Sequence, residues 1–158
     1  MPKEITMSSG HIILIDTGDY EWAMQWKWCL DKDGYPHRQQ RPGGKRTRHL
    51  MHKELLGLGT DVSVDHKNGN RLDVRRANLR VATKSQNGCN RGVPANNSSG
   101  YKGVSFNKGR GKWEAYVNIN KQRTRLGYFM DLRQAVIAYN TKALELHGEF
   151  AYLNEVPV

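Results

Sequence analysis

The 158 residues hold 25 Lys/Arg against 15 Asp/Glu, a formal net charge of +10 with a pI near 9.8, and no stretch is long or apolar enough to span a bilayer. Such a chain builds one medium domain or two small ones, and a balance this basic points to a polyanionic partner, with a surface kept basic for solubility as the bland alternative. Cys29 and Cys89 stand 60 positions apart with no CxxC, which argues against a disulfide framework and a four-cysteine zinc site, so no structural zinc is expected. The charge is uneven: residues 1–48 carry 8 Lys/Arg against 6 Asp/Glu, residues 49–92 carry 8 against 4, and residues 93–158 carry 9 against 5. The N-terminus lacks the apolar core of a secretory signal, so the chain is expected to stay where it is made, in the cytoplasm.

In chain order, residues 5–15 read as β-structure and Asp19 to Trp26 as a short helix with an acidic start. Lys27–Leu30 and Tyr35–Gln40 flank Asp33-Gly34 as a hairpin, and a turn at residues 41–45 leads to a strand from Thr47 to Met51. Trp22, Trp26 and Trp28 are expected to form the core of this region. His52 to Leu56 reads as a helical turn stopped by Gly57. Then come a strand Val62–His66, a polar loop, a returning strand Leu79–Val81 and a helix from Lys84, whose start is marked by the capping-box pair Thr83 and Gln86. Residues 93–99 are small, polar and turn-rich and read as a linker. Beyond it, Gly103–Phe106, Lys112–Ile119 and Gln122–Tyr128 read as three strands, with turns at residues 107–111 and at Asn120-Lys121. Asp131 with Gln134 opens a helix with Leu132, Ala135, Val136, Tyr139, Ala143 and Leu146 on its apolar face, and Gly148 closes it.

Asp65 and His66 end a strand, and Asn87 lies one turn into the following helix. A carboxylate and an amide oxygen are hard donors suited to Mg²⁺ or Mn²⁺, which keep several waters and accept phosphate oxygens. An imidazole titrating near neutrality is a natural general base, so His66 is the candidate to activate water. The stretch from Val64 to Asn87, with its Asp65-His66 pair, Asn78-Leu79-Arg80 and Thr83…Asn87, resembles the HNH endonucleases, in the subgroup of phage and intron homing enzymes. The resemblance implies a ββα-metal core, with Asp65 and Asn87 ligating one divalent ion, His66 as base, and Asn78 pinning the loop that orients it. Many HNH enzymes place a His where this chain has Asn87; the homing subgroup uses Asn, which implies Mg²⁺ or Mn²⁺ rather than Zn²⁺. His52 resembles a His that often precedes such cores, a candidate contact to the substrate phosphate or a structural hydrogen-bonding group.

In the C-terminal region, strand alternation puts Trp113, Ala115, Val117 and Ile119 on one face, and Glu114, Tyr116 and Asn118 on the other, with Thr124 and Leu126 inward and Arg123 and Arg125 outward. An exposed face of arginines, a tyrosine and an amide can enter a major groove. Tyr101-Lys102-Gly103-Val104, Gly111 to Ala115, Leu126 to Phe129, Ala138-Tyr139-Asn140 and Leu146 to Glu149 resemble an AP2 DNA-binding domain over residues 100–154. That resemblance implies DNA contacts at Lys102, Ser105, Asn107, Tyr116, Asn118, Arg123 and Arg125. Plant AP2 domains have Arg where this chain has Ser105 and Asn118, so their sequence preference does not transfer.

The expectation is an α+β protein. Residues 1–92 form an HNH nuclease domain with a β-rich N-terminal extension (core about 49–92), residues 93–99 a linker, and residues 100–158 an AP2-like module with a three-stranded antiparallel sheet packed on one helix. It would hydrolyse phosphodiester bonds of double-stranded DNA, in a bacterial or phage-infected cell, without a small-molecule cofactor or a membrane. One metal site per chain suits a nicking monomer; cutting both strands needs a DNA-bound dimer or two nicks. A non-catalytic DNA-binding regulator is the alternative; RNA binding is weaker, because A-form RNA lacks a readable major groove.

Overall fold

The computed structural model describes residues 1–119 and 122–158, with the side chain of Ile119 outside the description. The turn expected at Asn120-Lys121 therefore lies outside the described residues. The chain divides into two compact units, Met1–Asn87 and Gly88–Val158. Among the described residues, no helix is long and apolar enough to cross a membrane.

The first unit opens with an antiparallel hairpin of β1 (Lys3–Thr6) and β2 (Ile12–Ile15), reversed where Met7 O accepts from Gly10 N, with Gly10 at φ 80°. Alternation along β2 buries Ile13 and Ile15 completely. Helix α1 (Thr17–Met24) starts two residues earlier than the sequence suggests. Its N-cap Asp16 makes no capping bond, because its carboxylate accepts from Arg76 N at 2.8 Å. Strands β3 (Cys29–Leu30), β4 (Pro36–Gln40) and β5 (Thr47–Leu50) form an antiparallel sheet in the order β3-β4-β5. The β3–β4 turn is organised by Asp31 Oδ1, which accepts from Asp33 N and Tyr35 N, both at 2.9 Å. Short helix α2 (Met51–Leu55) follows β5 directly.

Trp28 sits in the core with Ile5, Ile13, Ile15, Met51, Leu55 and Val74, with Trp22 packed against it. Trp26 departs from expectation: it is a surface residue with the Arg38 guanidinium stacked 3.9 Å from its ring centroid. Arg38 is held there by a two-pronged pair with Glu54, so the stacking arginine takes the place that core packing would have filled.

Strands β6 (Val64–His66) and β7 (Leu79–Val81) pair antiparallel, Asp65 opposite Arg80 and His66 opposite Leu79. Helix α3 (Lys84–Cys89) starts with the expected capping box: Thr83 N donates to Gln86 Oε1 at 2.8 Å, and Gln86 N to Thr83 Oγ1 at 3.2 Å.

In the second unit, residues 93–99 are folded turns rather than open chain: Asn97 Oδ1 accepts from Ser99 N and Gly100 N, and Ser99 Oγ donates to Val104 O at 2.6 Å. Strands β8 (Val104–Asn107), β9 (Lys112–Ile119) and β10 (Gln122–Phe129) form an antiparallel sheet with β9 central. Helix α4 (Leu132–His147) packs on one face, burying Ala135, Val136, Tyr139 and Ala143 against Val104 and Ala115. Asp131 caps it by accepting from Arg133 N at 2.7 Å. Leu146 and Thr124, expected inward, are both exposed. Leu146 lies in the last turn of α4, beyond the residues it buries, and Thr124 lies near the start of β10, where all of Gln122–Arg125 is exposed.

Gly103 cannot be replaced freely. Its φ is 71°, and a Cβ there would lie 2.1 Å from the Tyr139 ring and 2.5 Å from Tyr116 O. Strand β10 carries a bulge: Arg125 pairs with Tyr116 and Gly127 with Ala115, which leaves Leu126 as an extra residue packed into the core. Strict alternation would send Tyr128 inward; the bulge returns it to the outer face with Arg123 and Arg125.

Candidate functional site

The loop from Lys67 to Asn78 is closed by its own side chains. Asn78 Oδ1 accepts from Asn68 N, Asn78 Nδ2 donates to Asn68 Oδ1 and to Asp73 O, and Lys67 N donates to Asn78 O, all between 2.8 and 3.0 Å. Asp73, with 1% exposure, takes a two-pronged bond from Arg75 and one from Asn68 Nδ2. The Arg75 bond holds its carboxyl below the usual range, against the opposing effect of burial. Asn78 is thus a knot that fixes where β6 ends, and with it His66.

Asp65, His66 and His52 are all buried. The His66 and His52 rings meet edge to face at 5.1 Å, and the Tyr35 ring lies 5.2 Å from His52 and 5.7 Å from His66. Sequence reasoning does not single out Tyr35. Its position follows from the Asp31 turn, and only the pairing of β4 with β5 brings it beside α2.

Burial lowers His66 to about 4; Asp65 and Asp73 oppose the change and Arg71 adds to it. Burial, reinforced by His66 and Lys53 and opposed by Asp31, lowers His52 to about 3. Both rings are therefore neutral at pH 7, well clear of the near-neutral titration expected for a free imidazole. Among the described residues, His52 Nδ1 is buried without a hydrogen-bond partner. His49, by contrast, turns to Glu54 Oε1 at 3.3 Å and Thr47 Oγ1 at 3.2 Å and does not join His52.

His52, Tyr35, Lys53, Val64, Lys84 and Asn87 line a cleft of about 240 Å³. Asn87 Nδ2 donates to Val64 O at 3.2 Å, tying α3 to β6 and directing the amide oxygen away from that carbonyl. Asp65 Oδ2 accepts from Arg80 Nε at 2.9 Å and Nη2 at 2.7 Å. Among the described residues, no three His, Cys, Asp or Glu side chains gather as a ready-made metal cage. A carboxylate and an amide oxygen are donor types that a hard divalent ion takes, such an ion leaving its other positions to water and phosphate.

On the second unit, the outer sheet face carries Ser105, Glu114, Tyr116, Asn118, Arg123, Arg125 and Tyr128. The Arg123 guanidinium lies 3.5 Å from the Tyr116 ring centroid, while Arg125 and Arg110 lie 4.9 and 4.7 Å from that of Tyr128. Asn107 holds the β8–β9 turn by accepting from Arg110 N at 3.1 Å. Lys102 is engaged elsewhere, its ammonium donating to Cys89 O and Arg91 O at 2.6 Å each. Glu114, which residue type alone does not mark as a site residue, sits at the centre of the face.

An HNH endonuclease family model matches residues 60–89. An uncharacterized HNH endonuclease of Acanthamoeba polyphaga mimivirus is 33% identical over 150 residues, covering 93% of this chain and 76% of its own length. The Arabidopsis thaliana dehydration-responsive element-binding protein 2D is 40% identical over 78 residues, covering 47% of this chain and 37% of that protein. Among solved structures, the HNH homing endonuclease I-HmuI, in a study of its DNA binding and cleavage, shares 31% identity, covering 39% of this chain and 38% of that one with a TM-score of 0.34.

Proposed function

The chain belongs to the HNH endonuclease family, and from that premise we propose that it is a homing-type DNA endonuclease that nicks duplex DNA with one Mg²⁺ or Mn²⁺ ion, its site chosen by an AP2-type sheet. The observation that carries the reading is that Asn87 of α3 is tied to Val64 O of the strand that carries Asp65 and His66, with the neutral rings of His66 and His52 edge to face.

Asp65 and Asn87 would hold the ion through a carboxylate and an amide oxygen. Bound there, the ion supplies positive charge against the charge that develops on the phosphate and the departing oxygen. Every other part belongs to the protein. His66 enters the reaction neutral, so a ring nitrogen takes the proton of the attacking water, and the phosphate brought beside it favours the imidazolium that results. Tyr35 and His52 wall the ring and keep bulk water from it. The Asn78 knot fixes the strand end, so the ring needs no reorientation before reaction. Lys84 and Lys53, at the rim of the cleft, suit a phosphate backbone. The products would be a 3′-hydroxyl and a 5′-phosphate.

Support for the second part of the reading is the arginine and tyrosine face of the β8–β10 sheet, together with the likeness to a protein named for binding a DNA element. A supercoiled-plasmid assay tests the whole. Nicking is expected with Mg²⁺ or Mn²⁺ and not with EDTA, and His66→Ala should lower the rate by roughly 10²–10⁴-fold with DNA binding intact. Undiminished cleavage by His66→Ala would sink the assignment of the base.

A further inference from the structure

We propose that Glu114 is a positioning residue that holds Arg123 and Arg125 in fixed directions, so that the sheet face reads base edges instead of merely gripping phosphate. The inference rests on the reading that this face meets DNA. Glu114 lies on the central strand, opposite Ser105 of β8 and Tyr128 of β10. Although it belongs to the outer face, it is only 8% exposed. Its Oε1 accepts from Arg125 Nε at 2.8 Å and its Oε2 from Arg123 Nη2 at 3.3 Å. One carboxylate thus braces two cations from the neighbouring strand, while their side chains remain 51% and 58% exposed.

The bracing is directional. Because Arg125 spends Nε on Glu114, the terminal pair of nitrogens is left on its outward edge. That edge can make two parallel bonds to O6 and N7 of a guanine. Tyr116 and Tyr128 support the two guanidiniums from the sheet itself, so both carboxylate and rings remove freedom that an unbraced arginine would lose on binding. A carboxylate on a DNA-facing surface also repels phosphate. Its placement at the centre of the face lowers affinity for any duplex, a cost that makes sense where discrimination is gained.

The test uses the full chain in EDTA, where binding is read without cleavage. Wild type is first used to select a site from a pool of randomised duplexes. Binding to the selected duplex and to the random pool is then followed by fluorescence anisotropy across a salt series. Glu114→Ala should bind the random pool several-fold more tightly, with a log–log salt slope steeper by up to about 2 as two arginines turn to phosphate. Its preference for the selected duplex should fall by roughly tenfold or more. Glu114→Gln, which preserves shape and one acceptor, should fall between the two and guards against a folding defect. An unchanged preference in both variants overturns the inference, as does a wild type that selects no motif. The Arg123→Ala plus Arg125→Ala protein separates the two layers. If it binds the selected duplex as wild type does, the DNA-facing reading of the sheet fails and takes the inference with it. Weakened binding there beside an unchanged preference in Glu114→Ala overturns the role of Glu114 alone.

Discussion

The two units use arginine in opposite ways. In Met1–Asn87, four arginines are clamped two-pronged on carboxylates: Arg38 on Glu54, Arg75 on Asp73, Arg76 on Asp19 and Arg80 on Asp65. The carboxylates of Asp73 and Asp65 are 1% and 4% exposed, so these cations serve the fold. In Gly88–Val158, Arg123 and Arg125 share one carboxylate and keep over half of each side chain in solvent. Net positive charge in a segment therefore does not separate cations held by the fold from cations left to solvent; where the guanidiniums are left pointing does.

Acid should divide the units most sharply. His52 and His66 titrate at about 3 and about 4 in the folded protein, below an unfolded value of about 6.5. A depressed histidine leaves stability intact above the unfolded value. As pH falls from about 6.5 toward 4, protons bind the unfolded chain first, and each ring drains stability by up to about 1.4 kcal/mol for every pH step of one. Among the described residues the second unit has one histidine lowered by burial, His147, against two in the first, so it should persist to lower pH. Trp22, Trp26 and Trp28 report on one unit and Trp113 on the other; joint loss of both signals at one pH would break the contrast.

Arg80→Ala takes the cationic partner from a buried carboxylate and should cost the first unit about 3–5 kcal/mol, read by urea unfolding. Arg125→Ala, on an exposed face, should cost under ~0.5 kcal/mol, and equal costs would erase the distinction. Gly103→Ala should destabilise the second unit alone by about 1–3 kcal/mol, through overlap with the Tyr139 ring and a positive φ. On DNA binding, Arg123→Ala plus Arg125→Ala should weaken the selected duplex about tenfold near 0.1 M salt with the salt slope little changed, because the braced arginines face base edges and not phosphate. The variant also strips both arginines from the little-exposed Glu114, so its unfolding midpoint should fall further than that of Arg125→Ala.

Local grammar made much of this legible. The Thr83 and Gln86 pair marks the start of α3 from residue types alone, because a capping box needs only a three-residue spacing, and the Asp131 cap and β9 alternation are equally local. Long-range choices were not legible. Trp26 lies outside the core because Arg38, bound to Glu54 on another element, covers it. Lys102 donates to the backbone carbonyls of Cys89 and Arg91, which no periodicity records. Tyr35 joins the histidines only through the register of β4 with β5. For Glu114, alternation gives the face, but its two arginines reach it only in the folded pairing.

The bulge at Leu126 makes one position of β10 unlike its neighbours. Losing that residue would close the bulge and leave Gly127 opposite Ala115 and Tyr128 opposite Glu114, at the expense of one core side chain. Losing a residue at Arg123 or Thr124 would instead turn part of the strand over, sending outward side chains in and inward ones out. Chain length can therefore change at Leu126 without inverting the sheet, so insertions and deletions in related sequences should collect there while the positions on either side vary only by substitution.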